Sequence, residues 1–401
     1  MGRRGTGAVV VAICLSGALA GCTGRSFPPC APAPRASLTS LTTAGRVRWR
    51  HDVSDGSGTM VVLGSTAVVP STGGVIGVDA TTGAVRWRWS AGGLARLLGA
   101  LGGRAVIESS DHLVALDAGG SERWHLPVSG SDLVLSGRWL SRPDEHELLA
   151  LDPRTGAPTA HLSWIAAFAV DGDGATVARG WSVARIDPQG RTVWSAQLAT
   201  DHFHRGVTSI DEVGSTVLAI SASDATGDER VVSLDARSGR ARFAVDGIAD
   251  AGLYASALIS DRWRGTPVAG VFTRHVEIRD PVTGRVRGTA EAPAGDVLGG
   301  IVAVGGDDAV FSRGRGFVHV SLDRGPSHGV SLGGSVRSAV VAATAAGLLV
   351  TGGDDVERVA LVDPHTAEIH WSFEASEPVE AVAPVGSGWL VHAANPLVGC
   401  A

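Results

Sequence analysis

Gly77-Val78-Asp79-Ala80-Thr81-Thr82-Gly83, running on to Trp87, decides the fold, because its order of parts returns along nearly the whole chain. A short β-rich run leads to an Asp, a turn closes on a Gly, and a strand carrying an aromatic leaves. The same order stands at Asp117 with Gly120 and Trp124, at Asp152 with Gly156, at Asp187 with Gly190 and Trp194, at Asp235 with Gly239 and Phe243, and at Asp280 with Gly284. Weaker copies sit at Asp323 and at Asp363, the second leading to Trp371. These eight Asp anchors are spaced by 38, 35, 35, 48, 45, 43 and 40 residues. That is the length of a four-stranded propeller blade and too long for most solenoid turns.

Each residue type has a mechanical reason. An Asp opening a turn accepts hydrogen bonds from backbone N–H groups ahead of it, and a Pro after it pre-sets φ for a type I turn. The Gly that follows supplies the positive φ of a short hairpin with a bulge. The last complete unit shows four β-rich runs, at residues 339–342, 347–350, 358–361 and 368–371. Residues 93–101 come nearest to a helical period, and their glycines weaken it. Arg46-Val47-Arg48-Trp49 reads as an outgoing aromatic strand with no Asp before it, while residues 379–385 and 389–393 read as two incoming strands. An N-terminal strand completing a C-terminal blade would remove the open sheet edge. The expectation is an all-β chain forming a β-propeller of about eight four-stranded blades, with seven to nine allowed, closed by N- and C-terminal strands.

These repeats resemble the pyrroloquinoline-quinone-like (PQQ-like) β-propeller family over nearly all of residues 46–393. The resemblance implies that the aromatics Trp49, Trp87, Trp124, Trp194, Phe243 and Trp371 wedge between neighbouring blades, and that most of the 11 tryptophans are structural. Family members include quinoprotein dehydrogenases and the propeller lipoprotein of the outer-membrane β-barrel assembly complex, so the fold alone does not assign a role. By the same resemblance, an alcohol-oxidising quinoprotein needs a disulfide of adjacent cysteines, a calcium site and a catalytic Asp. The chain has no adjacent cysteine pair. Neither a cofactor nor a catalytic residue is therefore expected.

The N-terminus has its own signature. Arg3 and Arg4 precede an apolar run at residues 8–19, too short for the roughly 20 residues of a spanning helix. Leu19-Ala20-Gly21-Cys22 then resembles the lipobox of bacterial lipoproteins, which implies cleavage before Cys22 and acylation of its thiol. The expected layout is a signal peptide at 1–21, a Pro/Ser/Thr-rich tether at 22–43 and the propeller at 44–401, on the extracytoplasmic face of the cell membrane. Cys14 falls in the signal, which leaves Cys30 and Cys400. In an oxidising compartment these two either form a disulfide across the ring closure or remain free thiols on the chain ends.

All 34 basic residues are arginine, a bias that points to a GC-rich bacterial genome of the actinobacterial kind rather than to a chemical need. A net charge of −6 with interspersed signs gives no basic footprint for nucleic acid. Asp171-Gly172-Asp173-Gly174 starts like a calcium loop, but Ser182 stands where a bidentate acid is required. His202 and His204 beside Asp201 lack a clear third zinc ligand, and Asp307-Asp308 and Asp354-Asp355 read as polar turns. The functional expectation is a monomeric, non-enzymatic binding or scaffold module that holds a protein, peptide or glycan partner. Loops at 199–206 and 222–229 are its candidate contact surface. The alternatives are a quinoprotein-like oxidoreductase or small-ligand sensor using the propeller axis, and an envelope-assembly lipoprotein.

Overall fold

The computed structural model describes residues 35–394 apart from 55–58, 94, 129–132, 143–145, 199–205, 223–228, 249, 255–256, 267–270, 293–297, 306–307, 314–315, 322–324, 332–339, 345–346, 353–356, 364–367 and 376. Among the described residues there are 36 strands, and they form nine four-stranded antiparallel sheets. Eight sheets are sequential units, which we number blades 1–8: residues 61–90, 95–127, 134–162, 167–197, 209–248, 250–292, 298–331 and 340–375. The ninth is composite. It joins β1 (Arg35–Thr42) and β2 (Val47–Ser54) to β35 (Val379–Val385) and β36 (Gly388–Ala394) in the order β2-β1-β36-β35.

Nine stands at the top of the expected range and one above the favoured eight. The terminal strands do not pack as an addition to another blade. They complete one another, with β1 and β36 in register from Ala36 opposite Ala394 to Thr42 opposite Gly388.

Burial patterns explain why these segments are strands. The second and third strands of a blade lie between two neighbouring sheets, so Thr66–Ser71 and Gly74–Asp79 are buried almost continuously. The outermost strand has one free side, and Val85–Ser90 alternates between half-buried and exposed. The core is accordingly a series of seams between blades. Leu101, Leu113 and Leu140 fill the seam of blades 2 and 3. Val183, Trp194 and Val217 fill that of blades 4 and 5. The composite blade is sealed on both sides, by Leu38, Val53 and Leu390 against Val69 and Ile76 of blade 1, and by Leu41, Val382 and Val391 against Leu349 and Val359 of blade 8.

One expectation is corrected here. Among the described residues no disulfide bond is present, and the expected bond between Cys30 and Cys400 is withdrawn. Both cysteines lie outside the described residues. The pairing of β1 with β36 accounts for closure without a covalent link, because it already satisfies both sheet edges.

Candidate functional site

Every blade has two ends with different chemistry. At one end run the turns from first to second and from third to fourth strand, the latter holding the repeated Asp. The other end carries the connections from second to third strand and from blade to blade.

At the turn end, the Asp side chain is consumed by its own turn. Asp79 Oδ1 accepts the Thr81 and Thr82 N–H groups, both at 2.8 Å, and its other oxygen pairs with Arg86. Asp235 pairs with Arg242 at 2.6 Å, Asp280 with Arg287 at 2.7 Å and Asp187 with Arg191 at 2.7 Å, while Asp117 pairs with Arg123. Asp152 accepts the N–H groups of Arg154 and Thr155 at 2.7 and 2.9 Å. Asp363 donates its N–H to the Glu368 carbonyl at 2.9 Å, and Asp323 lies outside the described residues.

The aromatics lie against the next blade's turn. Trp87 covers Gly120, where an added Cβ would sit 2.5 Å from the indole, and its Nε1–H donates to the Ala118 carbonyl at 2.9 Å. Trp124 stands on Gly156 and donates to Pro153, and Trp194 stands on Gly239 and donates to Ala236. Phe243 covers Gly284, Trp49 covers Gly83, and Trp371 reaches across the closure to Gly45. Gly45 has φ of 71°, and its turn begins at Thr42, whose hydroxyl accepts the Arg46 N–H at 3.1 Å. Thr42 thus does in the composite blade what Asp does elsewhere.

Two seams depart from this pattern. Between blades 3 and 4 the residue facing Gly190 is Ala160, and Trp139 from the second strand of blade 3 fills the seam instead. Its side chain is 0% exposed, and its Nε1–H donates to the Asp173 carbonyl at 3.0 Å. Between blades 4 and 5 a salt bridge is added. Glu212 is 1% exposed, accepts the Thr176 hydroxyl at 2.7 Å and pairs with Arg185, which also donates to the Asp171 carbonyl at 2.7 Å. Burial pushes the Glu212 carboxyl up, against the pull of Thr176 and Arg185.

The carboxylates of the turns give the fold an acid limit. Asp79, Asp235 and Asp280 are lowered from the ordinary 3.8 to about 2, chiefly by the Thr82 N–H, the Ser238 hydroxyl and the Thr283 N–H respectively, with Arg86, Arg242 and Arg287 adding to the effect. A depressed folded value means stability that is complete above 3.8 and lost as pH falls through about 2. Acid unfolding followed by circular dichroism should set in across that window, and Asp235→Asn should reduce the loss there. Stability that stays flat through the window would contradict this account.

The remaining candidates divide between the two ends. Asp171 and Asp173 flank a tight hairpin in which Asp171 pairs with Gly174, and the carbonyls of both are taken by Arg185 and Trp139. That hairpin belongs to the turn end and has no calcium-loop geometry. Residues 199–205, with Asp201, His202 and His204, lie outside the described residues, as do 223–228, Asp307, Asp354 and Asp355. The described residues that flank these two segments stand at the end opposite the Asp turns: Val207 donates to the Gly180 carbonyl at 2.8 Å, and Ala222 pairs with Glu229. Cys22 also lies outside the described residues. Among the described residues no group of three or more His, Cys, Asp or Glu side chains is placed to hold a metal ion.

The profile of the family described as "Outer membrane protein assembly factor BamB" matches residues 34–240, just over half of the chain. The chain belongs to this family. Solved structures similar to this family member include apo AztD from Citrobacter koseri, at 10% identity over 76% of this chain and 96% of that one, with a TM-score of 0.43. The WD40 domain of SCAP from fission yeast matches at 10% identity over 71% and 89%, with a TM-score of 0.43. Hsv2p of Kluyveromyces lactis matches at 10% identity over 69% and 99%, with a TM-score of 0.40. No curated protein matches the chain.

Proposed function

We propose that this family member is a membrane-anchored, extracytoplasmic propeller that performs no chemistry of its own and holds a protein, peptide or glycan partner. The observation that carries the reading is the fate of the repeated polar and aromatic residues. Among the described residues six of the repeated Asp carboxylates are spent on their own turns, and the six staple aromatics on the turns of neighbouring blades. What remains for recognition is the loop surface, as expected of a scaffold. Membership of an assembly-factor family supports the same reading. By the family resemblance an alcohol-oxidising quinoprotein would need a disulfide of adjacent cysteines, and the sequence has no adjacent cysteine pair. The protein should therefore purify as a monomer without a bound chromophore.

Anchoring rests on the lipobox resemblance of Leu19-Ala20-Gly21-Cys22. Replacing Cys22→Ala should leave uncleaved precursor and abolish metabolic labelling with fatty acid, because the acylated thiol is gone. A Cys22→Ala protein that matures and stays lipid-labelled would remove the anchor from the proposal.

A second reading follows from the family description, which names assembly of outer membrane proteins. Affinity capture from membranes separates the two. Recovery of an integral β-barrel with its assembly machinery selects the second reading, and recovery of a different protein or of a glycan selects the first.

A further inference from the structure

Trp164 is 82% exposed, whereas Trp139 of the preceding blade 3 is fully buried. It lies in residues 163–166, the connection from blade 3 to blade 4. The backbone on its C-terminal side is pinned: Ile165 donates to the His146 carbonyl at 3.0 Å and Ala166 to the Ala178 carbonyl at 2.9 Å. Ile165 turns inward and is 5% exposed. Trp164 itself has φ of 61°, a left-handed value that a bulky residue adopts only where its surroundings impose it. The loop is therefore built to hold an indole outside the protein. Among the described residues the three non-glycine residues with positive φ are Ser110, His146 and Trp164, and all three lie at this end of the sheets.

The chain enters the ring at the same end. β1 begins at Arg35 beside Ala394 and runs toward its Asp-like turn at Thr42, so its start lies opposite the turn end. Residues 22–34 would thus connect a lipid on Cys22 to the end that carries Trp164. Thirteen residues reach at most about 45 Å even fully extended, at about 3.3–3.6 Å each. A tether that enters at this end attaches the ring to the bilayer from the side that carries Trp164.

The chemistry beside Trp164 suits a lipid headgroup region. Glu147 pairs with Arg142 at 3.2 Å and lies 3.0 Å from His161 Nε2, and Arg179 is exposed at the end of the strand whose Ala178 carbonyl holds the loop. An exposed indole and an exposed arginine at the same end of the sheets match the apolar boundary and the phosphate layer of a bilayer, where tryptophan concentrates in membrane proteins. We propose that this end of the ring faces the bilayer, with the Trp164 indole seated in the headgroup region. The proposal rests on the anchor reading above and specifies the orientation that anchoring produces.

The test supplies its own tether, so that a failure of lipidation and a failure of orientation are read separately. The chain from residue 23 onward, carrying an N-terminal hexahistidine tag, is bound to phosphatidylcholine vesicles containing a nickel-chelating lipid. Tryptophan emission is then compared on vesicles with and without brominated acyl chains. Bromine-dependent quenching is expected in the wild type and should be lost in Trp164→Phe, a change at an exposed site that leaves the core intact. Equal quenching in both proteins, or none in either while both are bound, overturns the proposal. Quenching that persists in Trp164→Phe but disappears in the triple variant Arg237→Glu, Arg240→Glu, Arg285→Glu would assign the bilayer to the turn end and overturn it equally.

Discussion

Trp139→Ala is expected to lower stability by about 3–5 kcal/mol, the range for emptying a large aromatic site in a packed core. Its side chain is wholly buried with Leu148, Ile165, Ala175 and Val177. Its indole also makes a hydrogen bond across the seam to Asp173, and Ala160 supplies no second aromatic there. Trp124→Ala and Trp194→Ala, at sites 7% and 8% exposed, should fall in the same range or slightly below it. Denaturant titration reads the effect as a lower midpoint at unchanged slope. Unchanged midpoints in all three variants would mean that the seams are held by aliphatic packing alone.

Removing residues 386–401 is expected to abolish the folded monomer. The deletion takes away β36, whose Leu390, Val391, Ala393 and Ala394 are buried, and strips β1 and β35 of the strand between them. Two exposed sheet edges would then invite pairing between chains. The readouts are size-exclusion elution and loss of a cooperative thermal transition. A point change isolates the packing contribution: Leu390→Ala, at a fully buried site, should cost about 2–5 kcal/mol without removing any strand. A soluble, cooperatively unfolding monomer lacking residues 386–401 would show that the composite blade is dispensable.

The repeat was legible because its turn chemistry is local. Asp79, Gly83 and Trp87 lie within nine residues, and each does its work through backbone geometry that the spacing encodes. The ninth blade was harder to see for a chemical reason: Thr42 replaces the Asp, and a hydroxyl caps the turn in place of a carboxylate. The offset from Gly45 to Trp49, identical to that from Gly83 to Trp87, was the signal that remained. The Arg185–Glu212 pair could not be read along the chain, since its members meet only when blades 4 and 5 stack. Nor could the opposite fates of Trp164 and Ile165, two adjacent apolar residues sorted by a single left-handed φ.

The two-plus-two construction of the composite blade also sets an order in time. Leu38 pairs with His392, more than 350 residues further along. Each doubling of a loop adds only about 0.6 kcal/mol to its closure, so the distance costs little at equilibrium. It costs more in rate, since folding slows as contacts become less local. In a chain made from its N-terminus, the hairpin of β1 and β2 must wait as a two-stranded ribbon, marginal on its own, until β36 exists. The ring is therefore sealed last where the chain is first, and its N-terminal segment is the part that stays accessible longest.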